Sequence, residues 1–394
     1  MLARVETWVP ARRVTTEVHV RRRSRLFAPL PGAALIASLA LLSASCGDGT
    51  KPVEAAAPAS SAAPTTNNPT TSAAPAPTYP LTGLPIDDPA AAGRPVVVVK
   101  MDNSPDARPQ DGINEADVVY ELLVEGITRY ALVYHSNLPD RVGPVRSGRS
   151  SDPPLLANLN RPLIAWSGGN PGVTAEILGA ARNGFLIDAG YNAFPGDYWR
   201  DGARRAPHNL YTALGSLRDH AAPEGGTAPP PLFEYATAGE VAAQGVAAPG
   251  VVIDFGQGVR AEYVWDAERG GWDRFQIDER HPRPESATVD GSGVQVSPPN
   301  VVILFLDYGT SPADARSPMA VSTGSGQAFV LTSGRAISGT WERPTPLDRW
   351  TLRDDAGNPI KLAPGRTWVA LPRTGAPVLP LDASTAAELL TYRR

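Results

Sequence analysis

Cysteine is nearly absent from the 394 residues: Cys46 stands alone, so no intrachain disulfide and no cysteine-based metal site can form. The five histidines (His19, His135, His208, His220 and His281) are scattered, with no HExxH or similar ligand spacing, so neither metal nor cofactor is expected. Lysine is scarce as well. Lys51, Lys100 and Lys361 are the only lysines among 36 basic residues, and the basic chemistry falls to arginine. No GxSxG elbow, Walker loop or complete dinucleotide fingerprint occurs, so no catalytic residue can be assigned from a motif. No apolar run reaches the ~20 residues of a membrane-spanning helix. What is present, 42% hydrophobic and 19% charged residues, suits a soluble globular chain long enough for two cores.

The first 80 residues read as an address rather than a fold. Arg21, Arg22, Arg23 and Arg25 form a positive region ahead of the mainly apolar twelve-residue stretch Ala33 to Ala44, and Ser45 and Cys46 follow. That pattern is a secretory signal, and Cys46 after Ser-Ala-Ser resembles a bacterial lipobox, whose cysteine is diacylated after cleavage. Residues 1–46 are therefore expected to be signal peptide and lipobox, with Cys46 as the lipidation site and the membrane as a partner. The expected location is extracytoplasmic, lipid-anchored to the cell membrane. Cleavage before Cys46 removes seven arginines and two glutamates, which leaves a formal charge of −9. A chain that acidic is not expected to bind nucleic acid. Residues 47–80, rich in Ala, Pro, Ser and Thr, have too little apolar surface to fold and read as a disordered tether with a reach of roughly 30–40 Å.

Residues 81–225 read as a mixed α/β domain. Pro95 to Met101 is a continuous β-branched run, as in a strand buried on both faces, and Asp102, Asn103, Ser104 and Pro105 form the loop at its end. Val118 to Val124 and Thr128 to His135 read as paired strands. Arg161 to Ala189 reads as strand, glycine loop, helix, strand. Glu121 and Glu125 share a face. Arg129 joins them only across a three-residue turn, and a two-residue turn would put it on the other face.

Three helix starts are expected beside polar groups: Asp152 as a cap before Pro153, Gly168-Gly169-Asn170 before a helix near Val173, and Asn209 as a cap before Leu210. Helix N-termini with nearby arginines would suit an anion. The candidate ligand-binding set is Asp102, Asn103, Arg108, Glu121, Glu125, Arg129, Arg146, Ser147, Arg149, His208 and Asn209. The competing reading pairs Arg146 and Arg149 with Glu121 and Glu125 in a structural ionic network that binds nothing.

The four stretches MDNSPDARPQ, EADVVYELLVEGITRYALVY, RVGPVRSGR and RRAPHNLYT, in this order, resemble the N-terminal domain of the YerB-like lipoproteins, a bacterial envelope family whose domain has no known function. Family members often read EGGITR where this chain has EGITR, one glycine shorter at the turn in question. Residues 226–249 read as a connection and 250–380 as a β-rich domain of short strands, with a tail at 381–394 in which a short helix is expected. Ser338 to Pro372 resembles the C-terminal half of the same family. Trp341, Trp350 and Trp368 there are expected in the core rather than stacked on sugars.

The resemblance implies a place and a fold, not a chemistry. The reading favoured by the residues is a tethered lipoprotein that binds an anionic envelope polymer or envelope protein in cell-envelope assembly or maintenance. The alternative is an envelope transferase or hydrolase acting on a phosphorylated or glycan substrate.

Overall fold

The computed structural model describes residues 76–222, 227–237, 240, 244–279 and 285–392. Cys46, the signal region, most of the tether and His281 lie outside the described residues.

A mixed α/β first region precedes a β-rich second one, and one eleven-stranded sheet runs through both. Its central strands are β1 (Val97–Met101), β2 (Val118–Leu123), β3 (Thr128–Tyr134) and β4 (Leu163–Ala165). The β-branched run predicted as buried is β1, all five residues of which are buried. β3 lies antiparallel between β1 and β2, while β4 runs parallel to β1. The C-terminal strand Thr367–Leu371 pairs in parallel with β2, Trp368 beside Val119 and Ala370 beside Glu121, and on its other edge with Asn300–Leu304. The two halves are thus stitched by strand pairing in mid-sheet.

Pleating sends alternate residues to opposite faces. Val97, Val99, Met101, Val119, Tyr130 and Leu132 pack into one core with Val251, Ile253, Tyr263, Trp272 and Trp368. That face is covered by the second, five-stranded sheet, Val259–Asp266 and Gly271–Asp278 among its members. Val98, Tyr120, Leu122, Ala131 and Val133 pack into another core with Leu155, Leu156, Trp166 and Ile177, on the side of the helix Pro171–Arg182.

Two local expectations change. Asn209 caps no helix: Leu210–Thr212 is a strand paired with Tyr198–Arg200, and the helix begins at Leu214. The partner strand supplies the backbone hydrogen bonds that a helix start at Leu210 would have required. Asp152 is the first residue of a five-residue helix rather than its cap, Ser151 being the cap. The expected start at Gly168-Gly169-Asn170 becomes a helix from Pro171, where Asn170 Oδ1 accepts the Val173 N–H at 2.9 Å.

His135, just beyond β3, is fully buried, and neither ring nitrogen has a hydrogen-bond partner among the described residues. Burial and the Arg94 guanidinium push its pKa down to about 4. The unfolded chain therefore takes up a proton that the folded chain refuses between about pH 6.5 and 4, and stability falls as pH drops through that window. At pH 5 the loss is expected to be about 2 kcal/mol, absent in His135→Gln. Burial raises neighbouring Asp117, which acts in the opposite sense at the acid end, so the difference between variant and parent is the quantity to follow. Denaturation curves at pH 7.5 and 5 that change equally for both would refute it.

Candidate functional site

The hairpin between β2 and β3 decides how the candidate residues are divided. Val124 N–H donates to the Ile127 carbonyl at 2.9 Å, so the turn consists of Glu125 and Gly126, with Gly126 at φ +74°. Leu122 then lies opposite Arg129 and Glu121 opposite Tyr130. Glu121 and Arg129 sit on opposite faces.

On Glu121's face the network is closed. Glu121 Oε1 accepts from Arg274 Nη2 at 2.7 Å and from Thr128 Oγ1 at 2.8 Å, and its Oε2 accepts from Trp368 Nε1 at 2.9 Å. Both members of the ion pair are wholly buried. Arg274 also donates to Tyr263, Thr288 and Gln276, and its guanidinium lies 4.6 Å from the Trp368 ring centre. Asn103 joins this side, donating to Thr128 and Gln276 and accepting from Arg108 Nε at 3.2 Å. Arg108 lines a cavity of about 200 Å³ with Asn103, Gln110 and Gln276. Trp341, Trp350 and Trp368 are at most 3% exposed, so none offers a ring to a sugar.

On Arg129's face the charges are less evenly matched. Lys100 Nζ meets Asp152 Oδ1 at 2.6 Å with both side chains buried. Arg146 Nε lies 3.1 Å from Asp102 Oδ2, and Arg149 Nη2 donates to Glu125 Oε2 at 2.7 Å. Arg129 is 5% exposed and has no carboxylate partner among the described residues. Among the described residues its one hydrogen bond is Nη1 to the Ser147 carbonyl at 3.4 Å, and its Nε has none. Burial and the neighbouring Arg149 bring its pKa down to about 10. Burial pushes the Asp102 carboxyl upward, but the Ser104 N–H, Arg129, His208 and Arg146 outweigh it and hold the group below the usual carboxylate range.

His208 Nδ1 lies 2.7 Å from Asp102 Oδ2 and 3.0 Å from Ser104 Oγ. Both contacts use the same ring nitrogen. A serine nucleophile relay needs both nitrogens, one facing the acid and one the hydroxyl, so these three residues do not form one. Asn209 lies behind: it donates to the Asp201 and Arg204 carbonyls and accepts from Arg200, which fixes the loop that carries His208. Among the described residues no cluster of three or more His, Cys, Asp or Glu could hold a metal ion.

The cluster opens into a cleft of about 420 Å³ lined by Glu125, Ser147, Arg149, Gly169, Asn170 and, from the second half of the chain, Asp314, Arg316 and Ser317. The last three sit on or beside the strand Asp314–Ala320, which forms a hairpin with Tyr308–Ser311. That hairpin is pinned over the cleft. Ser311 Oγ is 2.6 Å from Ser150 Oγ, Ala320 N–H donates to Ser151 Oγ at 2.9 Å, and Ser317 Oγ donates to Glu125 Oε1. A Cβ on Gly172 would come within 2.7 Å of Ala313 Cβ, so only glycine lets the helix start approach this closely.

The structure therefore brings Asp102, Glu125, Arg129, Arg146, Ser147, Arg149 and His208 to one face, and sends Asn103, Arg108 and Glu121 to the other. Sequence reasoning missed Arg274 and the hairpin residues Arg316 and Ser317. Ser317 lies 192 positions from the carboxylate it touches, and no local pattern marks such a contact.

Two family models match the chain, both described as a protein of unknown function (DUF3048): the N-terminal domain over residues 81–227 and the C-terminal domain over residues 251–369. Over 307 residues the sequence is 27% identical to YerB of Bacillus subtilis (strain 168), a protein provisionally named a lipoprotein, and the match covers 74% of this chain and 84% of that protein. The crystal structure of the YerB protein from Bacillus subtilis superposes with a TM-score of 0.63 at 25% identity, covering 76% of this chain and 99% of that one.

Proposed function

We propose, from the premise that the chain belongs to the DUF3048 family of YerB-like proteins, that it is an extracytoplasmic lipoprotein that binds an anionic envelope ligand at its arginine cluster. The provisional name of the Bacillus subtilis relative and the lipobox-like Cys46 support the tethered state. Residues 47–80 then hold the globular part off the membrane.

One observation carries the anion reading. Arg129 is buried beside Arg146 and Arg149 with no carboxylate partner among the described residues, and an unpaired buried cation is costly to the fold. A bound carboxylate or phosphate would offset that cost. The test is thermal unfolding of the protein with muropeptides, teichoic-type phosphates or polyprenyl phosphate analogues, beside the Arg146→Ala/Arg149→Ala variant. A ligand at 100 times its Kd is expected to add about 2.7 kcal/mol to the parent and nothing to the variant. Equal shifts in both proteins would rule the cluster out as the site.

The enzyme alternative rests on the Asp102–His208 contact, the arrangement from which a general base is built. A His208→Asn variant that keeps ligand-dependent stabilisation but stops consuming the ligand would favour it. A ligand recovered unchanged from the parent protein would exclude it.

A further inference from the structure

The cleft at Arg149 already contains a carboxylate, that of Glu125. Its two oxygens are read separately: Oε2 accepts from Arg149 Nη2 at 2.7 Å, and Oε1 accepts from Ser317 Oγ. One donor comes from each half of the chain. Against burial, these hydrogen bonds bring the Glu125 carboxyl down to about 2, so it is anionic at any physiological pH.

Glu125 is also placed to leave. It stands at the tip of a two-residue turn closed by the Val124–Ile127 backbone bond, which does not depend on the side chain. Its side chain is 38% exposed, so rotation outward returns the carboxylate to water without opening a core. The 420 Å³ cleft and a neighbouring cavity of about 530 Å³, lined by Phe255, Tyr308, Thr310 and Arg373, have Glu125, Arg316 and Ser317 as a common wall. Withdrawal of Glu125 opens that wall.

We propose that Arg149 and Ser317 form a carboxylate-binding site spanning both halves of the protein, with Glu125 as its displaceable internal occupant and an organic carboxylate as its ligand. This rests on the reading of the arginine cluster as an anion site and specifies its ligand class. Arg149 Nη1 is engaged by the Gly148 carbonyl at 2.9 Å, while Nη2 and Ser317 Oγ are the donors that hold the two Glu125 oxygens and Nε is buried without a partner among the described residues. The pair is already set on a planar carboxylate, one oxygen to each donor, and an incoming carboxylate can repeat those two bonds. An apparent affinity is lowered by the fraction of molecules whose site is occupied, so removal of the occupant raises it.

The experiment is calorimetric titration of the full chain in detergent with N-acetylglutamate and, separately, with inorganic phosphate. Parent, Glu125→Ala, Glu125→Gln and Arg149→Ala are compared. Glu125→Ala is expected to bind N-acetylglutamate about tenfold more tightly than the parent, with Glu125→Gln between them and no binding by Arg149→Ala. Glu125→Gln keeps the side-chain volume should the alanine variant fold poorly. Arg149-dependent binding without any gain in the Glu125 variants would overturn the displacement proposal and leave the anion site standing. Tighter binding of phosphate than of N-acetylglutamate would overturn the ligand class. No binding of either probe by any protein would overturn both readings.

Discussion

Glu121→Ala is expected to destabilise the protein by about 3–5 kcal/mol, the cost of leaving a buried charge without its partner. Arg274 is fully buried and enclosed by the rings of Tyr130, Tyr263 and Trp368, so water cannot reach it in compensation. Thr128 and the Trp368 indole would lose their acceptor in the same step. Glu121 lies on β2 and Arg274 on Gly271–Asp278, so the pair ties the eleven-stranded sheet to the five-stranded one. The double replacement Glu121→Leu/Arg274→Met should recover most of the loss, because removal of both charges of a buried pair is often neutral. Urea denaturation followed by tryptophan fluorescence and by far-UV circular dichroism checks this. The parent should unfold with coincident curves, and a loss below about 1 kcal/mol in Glu121→Ala would show that the pair does not join the sheets.

That network shows how far the sequence could be read. The β-branched run before Met101 and the turn-bounded strands of the second half were legible because hydrophobic periodicity is a local signal. The mixed α/β and β-rich halves follow from it. The placement of Arg129 was not legible. It depends on whether one more residue enters the turn after Val124, and a shift of one residue exchanges the faces of a strand. The structure has the shorter turn, in keeping with EGITR in place of EGGITR. Asn209 was misplaced for a related reason. Asn before an apolar residue is a common cap, but here Leu210–Thr212 finds a strand partner ten or so residues upstream, and that pairing overrides the local preference. The contribution of Ser317 and Arg316 to the cleft is set by a hairpin nearly two hundred residues away from Glu125 in the chain. Tertiary contacts of that span leave no periodic trace.

Arg129→Met is expected to act in two opposite directions at once. Among the described residues Arg129 has no carboxylate partner, and its Nε is buried without an acceptor, so the guanidinium weakens the free protein. Its pKa is brought down to about 10 in the fold, against a higher value in the unfolded chain. Both states are protonated below that point, so the whole unfavourable contribution is present at neutral pH, and it fades only as pH rises above about 10. Methionine has similar length and no charge and should raise stability at pH 7 by about 1–3 kcal/mol. The same substitution removes a positive charge from behind the cleft that Arg149 lines and should weaken binding of an anion by tenfold or more. Chemical denaturation of the free protein and calorimetric titration with N-acetylglutamate measure the two effects separately. A structural arginine would lose stability on replacement, because its contacts with the Ser147 carbonyl and with the field of Asp102 would be net favourable. A gain in stability joined to a loss of binding can arise only if the charge is held in the fold for a ligand that the free protein lacks.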